Sequence, residues 1–149
     1  MIRRARITDV KDIQTLVNSF AAKNEMLPRA LSTIYENLRD FYVAVDNESM
    51  IGCCALHVTW GDLAEVKSLA VEQSAQGRGC GRLLVETCIQ DARELGVPKV
   101  FALTYVPAFF EKLGFLIVDK ATLPHKIWSE CINCPKFPDC GEEAVTINL

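Results

Sequence analysis

Apolar side chains along this chain recur with two periods, and the switches between them outline alternating helices and strands. Ile2 to Ile7 reads as a short opening strand. Thr8 is placed to cap a helix with Asp9 and Asp12 in its first turn and an apolar stripe of Val10, Ile13, Leu16, Val17 and Phe20. A polar break from Lys23 to Glu25 leads to Pro28, a favourable first helical residue, after which Leu31, Ile34, Tyr35 and Leu38 repeat at helical spacing. Phe41 to Val45, a turn over Asp46 to Ser49, and a β-rich run from Met50 to Trp60 closed by Gly61 and Asp62 predict a hairpin.

Leu63 to Val71 supplies a further strand, followed by a glycine-rich turn from Gln76 to Gly81. The turn opens into a helix carrying Leu84, Val85, Cys88, Ile89, Ala92 and Leu95, stopped by Gly96 and Pro98. Lys99 to Thr104 is an apolar strand, Pro107 to Leu113 a short helix ended by Gly114, Phe115 to Val118 a strand, and Ala144 to Leu149 a closing strand. The order is β-α-α-β-β-β-α-β-α-β followed by a tail, without internal repeat or linker, which predicts one α/β domain over residues 1–149. Residues 119–143, a cysteine-containing segment interrupted by Pro124 and Pro138, are expected to pack on that domain.

Composition narrows the function. The net charge of −3, with both signs spread along the chain, disfavours a nucleic-acid partner, because phosphate neutralisation needs a basic surplus or stripe. Arg3, Arg4 and Arg6 are not followed by an apolar run, and a stretch long enough to span a bilayer does not occur, so no membrane association and a cytoplasmic location are expected. The seven cysteines are an odd number without a secretory leader, which predicts reduced thiols. Cys53, Cys54 and Cys88 fall at core positions.

The turn Gln76-Gly77-Arg78-Gly79-Cys80-Gly81 is the first candidate for chemistry. Its three glycines let backbone N–H groups converge, and the following helix adds its positive end, which together suit a pyrophosphate. Lys-Ser/Thr does not follow it, and it does not open a first βαβ unit, so neither an ATP nor an NAD template fits.

Gln76, Gly79 and Gly81 match a Gln/Arg-x-x-Gly-x-Gly/Ala signature, preceded by Ser68-Leu69-Ala70-Val71 and followed by Phe109-Phe110-Glu111-Lys112-Leu113-Gly114-Phe115. In these features and in element order the chain resembles the Gcn5-related N-acetyltransferases (GNAT). Ile2 to Ala5, Leu27 to Arg29, Gly52 to His57, Glu65 to Val71 and Phe101 to Thr104 are similar to the acetyltransferase domain of N-acetylglutamate synthases, especially its short stand-alone forms. The resemblance implies a mixed, mostly antiparallel sheet flanked by helices, with two central strands splayed apart. It also implies an enzyme that transfers acetyl from acetyl-CoA to the α-amine of L-glutamate, as in arginine synthesis, by direct attack in a ternary complex. Alternatives are an acetyltransferase for a protein N-terminus or another small amine, and a non-catalytic CoA-binding or metal-stapled regulatory module.

The same resemblance implies roles for particular residues. The amides of Leu69, Ala70 and Val71 would hold the pantetheine arm and act as an oxyanion hole. Gln76, Gly77, Arg78, Gly79, Cys80 and Gly81, with Phe109 and Phe110, would hold the rest of the cofactor, whereas Arg82 is expected in solvent. An ammonium must lose a proton before it attacks, and Glu65, which period-two alternation places on one strand face with Lys67 and Leu69, is the candidate base. Many family members carry Tyr where Phe110 stands, so Tyr105 is the nearest substitute acid. Arg29 and Lys67 are the candidate partners of the acceptor carboxylates, whereas Arg3, Arg4, Arg6 and Arg39 read as surface charges. His57 reads either as a lining residue of the same cavity or as a structural histidine.

Cys131, Cys134 and Cys140, with His125 or Asp139 as a fourth ligand, have a spacing that zinc could use, but a second Cys-x-x-Cys pair is missing and three buried or redox-active thiols account for them somewhat better. A metal there would pin the tail or a homodimer contact rather than assist chemistry.

Overall fold

The computed structural model describes residues 1–23, 29–123 and 142–149. Their backbone forms a seven-stranded sheet in the order β1-β2-β3-β4-β5-β7-β6. The strands are β1 (Ile2–Arg4), β2 (Phe41–Asp46), β3 (Ser49–Trp60), β4 (Leu63–Val71), β5 (Lys99–Thr104), β6 (Leu116–Val118) and β7 (Glu143–Asn148). Neighbours are antiparallel except β4 and β5.

Adjacent residues on a strand point to opposite faces, so one strand can serve two cores. Cys53 and Ala55 of β3 face Val10, Ile13 and Val17 of α1 (Val10–Ala21) and Ile34 of α2 (Leu31–Glu36). Cys54 and Leu56 face Leu84, Val85, Cys88 and Ala92 of α3 (Cys80–Leu95), and Phe110 of α4 (Pro107–Glu111) joins that same layer. Helix α3 ends where Gly96 adopts φ +83°, as the Gly96 stop signal implied. Burial pushes the Cys53 thiol up to about 12, and the Cys54 and Cys88 sulfurs lie 3.7 Å apart in the core. These buried cysteines pack in the core.

The chain start departs from the expected pattern. The opening strand stops at Arg4, and a 3-10 turn over Ile7–Asp9 precedes α1, so Thr8 does not cap the helix. Asp9 organises the junction: its carboxylate accepts the Arg6 N–H at 2.7 Å and both Arg3 guanidinium nitrogens at 2.7 and 3.1 Å. Arg3 is therefore an ion-pair partner rather than a loose surface charge. Its hydrogen bonds hold the Asp9 carboxyl below the usual carboxylate range, with burial opposing.

A bulge sets the centre of the sheet. Cys53 pairs with Ala70 and Ala55 with Lys67, so between these pairs Cys54 alone on β3 opposes Ser68 and Leu69 on β4. The extra residue is accommodated by Ser68, buried and at φ +55°. The bulge reverses the alternation: Ala64 and Val66 face α3, but so do Leu69 and Val71, while Ala70 faces α1. Glu65 and Lys67 therefore share a face with Ala70 and not with Leu69, correcting the simple period-two assignment.

Two stability outcomes follow from these junctions. Asp9→Asn lowers stability at pH 7 by about 1.5–3 kcal/mol in urea unfolding. The folded-state pKa of Asp9 is depressed, so its contribution is complete above the unfolded carboxylate value of about 3.9 and disappears as pH falls through the folded value; the variant and wild type then converge in acid. At Ser68, Val cannot take the positive φ without strain and costs about 1–3 kcal/mol, whereas Gly stays within about 1 kcal/mol of wild type, read as thermal unfolding midpoints.

Candidate active site

Strands β4 and β5 pair only at Ala64–Val100 and Glu65–Phe101 and then separate. A cleft of about 660 Å³ opens between the unpaired part of β4 and the segment Ala102 to Val106. The β4 groups that would have faced β5 are thereby released from the ladder. Unpaired backbone groups need water or a ligand, which makes this strand edge a hydrogen-bonding surface.

The glycine-rich turn closes one end of the cleft. Gly77 and Gly79 both lie at φ +83°, in the left-handed region that other residues enter at a cost, and Gly79 is the residue before α3. Gln76 does not point its amide at the cleft mouth alone: Nε2 donates to the Val71 carbonyl at 3.0 Å and ties the turn to the end of β4. The first N–H groups of α3 have no partner within the helix, so its positive end faces this turn. A Cβ at Gly81 would stand 3.4 Å from the Phe109 ring, so glycine lets that ring close over the turn. Phe109, Phe110 and Phe115 stack edge to face, with ring centres 5.1 and 5.2 Å apart along the series.

Arg29 enters from the α1 side. Its N–H donates to Asn18 Oδ1 at 2.9 Å, and its carbonyl accepts from Gln14 Nε2 at 3.2 Å and Asn18 Nδ2 at 3.4 Å. Its guanidinium Nε reaches Ser68 Oγ at 3.4 Å, linking the loop to the bulge. Gln14 and Asn18 escaped the sequence reading because they resemble ordinary polar helix positions; their only signal is two amides spaced i, i+4 on one face.

Glu65 and Lys67 line the cleft, as does Tyr105 just beyond β5. Leu69, Ala70 and Val71 form its β4 wall, and Gln76, Gly77, Gly79, Cys80, Gly81, Phe109 and Phe110 complete that end. Arg78 differs: it is exposed and does not line the cleft, because the left-handed glycines on either side turn it outward. Arg82, expected in solvent, stands at the rim with Nε 2.6 Å from Glu86. Burial raises the Cys80 thiol, leaving the sulfur neutral. Phe20, Ser68, Val106 and Glu142 were not anticipated as lining residues; they come from four separate segments that only folding brings together.

His57 stands opposite Glu65 in the β3–β4 register, and its Nδ1 is 2.6 Å from Asp40 Oδ2. The hydrogen bond to Asp40 raises the His57 pKa, against the effect of burial. His125, Cys131, Cys134, Asp139 and Cys140 lie outside the described residues. Among the described residues no cluster of three or more His, Cys, Asp or Glu could hold a metal, and no helix is long and apolar enough to cross a membrane.

The family model described as acetyltransferase (GNAT) family matches residues 8–115. An uncharacterized N-acetyltransferase of Chlorobaculum tepidum is 40% identical over 148 residues, covering 99% of this chain and 96% of that one. An amino-acid acetyltransferase of Mycobacterium tuberculosis is 36% identical over 133 residues, covering 87% and 76%. Among solved structures, a Mycobacterium tuberculosis protein in complex with CoA superposes with TM-score 0.87 at 30% identity, covering 100% of this chain and 99% of the other. The N-acetylglutamate synthase of Neisseria gonorrhoeae, 24% identical, shares the fold with TM-score 0.91 over 100% of this chain and 35% of its own. The parted strands, the glycine turn at a helix start, the matching family model and the relatives of 36% and 40% identity converge: the chain belongs to the GNAT family of acetyltransferases and is an acyltransferase.

Proposed function

We propose that this protein transfers the acetyl group of acetyl-CoA to the α-amine of an amino acid, with L-glutamate as the acceptor. The observation that carries the reading is that an unpaired strand edge, a glycine-rich helix start and the Glu65 carboxylate meet in one cleft. The 36% identical amino-acid acetyltransferase and the similar structure solved with CoA support it.

In this reading the pyrophosphate of CoA lies on the turn from Gln76 to Gly81 at the start of α3, where backbone N–H groups and the helix end favour an anion. Arg78, exposed beside the turn, meets the outer phosphates, and Phe109 and Phe110 wall the carrier. The pantetheine arm runs along Leu69, Ala70 and Val71, whose amides lie where a thioester carbonyl gains negative charge. Fixed donors at such a position are worth a few kcal/mol of barrier.

Arg29 and Lys67 bind the acceptor carboxylates. Glu65 takes one proton from the ammonium, directly or through water. The free amine then attacks the thioester carbonyl, forming a C–N bond and a tetrahedral oxyanion. Collapse breaks the C–S bond, CoA leaves with the sulfur electron pair, and Tyr105 supplies a proton to it. Before that collapse the nitrogen gives its remaining extra proton to water, and water returns a proton to Tyr105 afterwards, so the products are an N-acetyl amino acid and CoA. Phe110 cannot donate, but a thiol of pKa about 8.5 leaves readily near neutrality even with modest help from Tyr105.

A thiol-release assay over the amino acids tests this directly: glutamate is expected to release CoA fastest, and release with a peptide but with no free amino acid would overturn the acceptor assignment. Glu65→Gln is expected to lower kcat by about 10²–10⁴ with little change in the KM for acetyl-CoA. Gly79→Ala, which opposes the left-handed backbone, should do the reverse, raising that KM while leaving chemistry on bound substrate nearly intact.

A further inference from the structure

A second cavity, of about 70 Å³, lies on the α2 side of the sheet. Arg29, Lys67 and Ser68 wall both it and the main cleft, so it is an alcove of that cleft. Asp40 and His57 stand on its other side. The space exceeds what one ordered water needs, yet it is small, and it suits a carboxylate or carboxamide rather than a ring.

The charged groups around His57 come from every element packed there: Arg29 ahead of α2, Asp40 after it, and Glu65 and Lys67 on β4. Asp40 holds Nδ1 at 2.6 Å, which fixes the ring and leaves Nε2 as its second polar atom. The bond to Asp40 keeps the ring protonated above the usual histidine range, with Glu65 adding to that effect and burial and Lys67 opposing it. With Arg29 and Lys67, an imidazolium makes three cations against the two carboxylates of Asp40 and Glu65, an excess of one positive charge. Such a surround prefers an anionic head group.

We infer that the alcove receives the side chain of the acceptor amino acid, and that His57, oriented by Asp40, is a specificity-determining residue favouring a carboxylate over a carboxamide. The inference rests on the acetyl-transfer reading above and adds to it the subsite and the group that selects. A carboxylate gains from the imidazolium and loses that gain when His57 deprotonates, whereas a carboxamide is nearly indifferent.

The measurement is the ratio of kcat/KM for L-glutamate to that for L-glutamine, by CoA release, from about pH 6 to pH 9. Ionisation steps common to the two acceptors enter both numerator and denominator and largely cancel. The ratio is expected to fall about three- to tenfold as pH rises through the His57 transition. In His57→Gln it is low and flat, and in Asp40→Asn the transition moves to lower pH. Calorimetric binding of acetyl-CoA reports separately that each variant is folded. A ratio that is flat in the wild type, or that keeps its pH dependence in His57→Gln, overturns the inference while leaving acetyl transfer standing. Absence of CoA release with every amino acid overturns the acetyl-transfer reading itself and this inference with it.

Discussion

The early parting of β4 from β5 governs the rest of this molecule. Two strands that run parallel through Ala64–Val100 and Glu65–Phe101 would ordinarily continue pairing, since each abandoned rung exposes polar backbone groups. They separate because β4 is committed elsewhere. Its bulge at Ser68 matches the register of β3, which holds it out to Gly52–Val71, while β5 is held on its other edge by β7 from Lys99–Asn148 to Thr104–Glu143. Ser68 in the left-handed region is the local cost, and the surrounding ladders and cores outweigh it.

The bulge also decides which chemistry faces which way. By reversing the side-chain alternation, it sends Leu69 and Val71 toward α3 while Glu65 and Lys67 stay on the α1 and α2 face. The sheet thus becomes a partition with an opening in it. The glycine turn and α3 lie toward one face, whereas Arg29, His57 and Asp40 lie toward the other. Under the proposed function, carrier and acceptor approach from these two sides and meet at the opening, which keeps two differently shaped substrates from competing for one pocket.

Much of this order was legible in the chain. Element order, the helix stops at Gly96 and Gly114, the core cysteines and the glycine-rich turn all follow from local rules: apolar periodicity, and backbone conformations that glycine enters cheaply. The cleft residues were legible too, because Glu65, Lys67 and Leu69 to Val71 belong to one strand and Gln76 to Gly81 to the turn after it. Where reading failed, a side chain had acted over a distance: Asp9 drew in Arg3 and displaced Thr8 as the organiser of α1, and Asn18 and Gln14 took hold of the Arg29 backbone.

By itself, then, the sequence determined the kind of fold and the segments from which a site would be built, since both are written in contacts between near neighbours. Tertiary structure decided the facing of Glu65 relative to Leu69, the outward turn of Arg78, the arrival of Glu142 and Phe20 in the cleft, and the pairing of His57 with Asp40. The reason is that one added residue in a ladder inverts every side chain beyond it. No local pattern announces that inversion until a neighbouring strand sets the register.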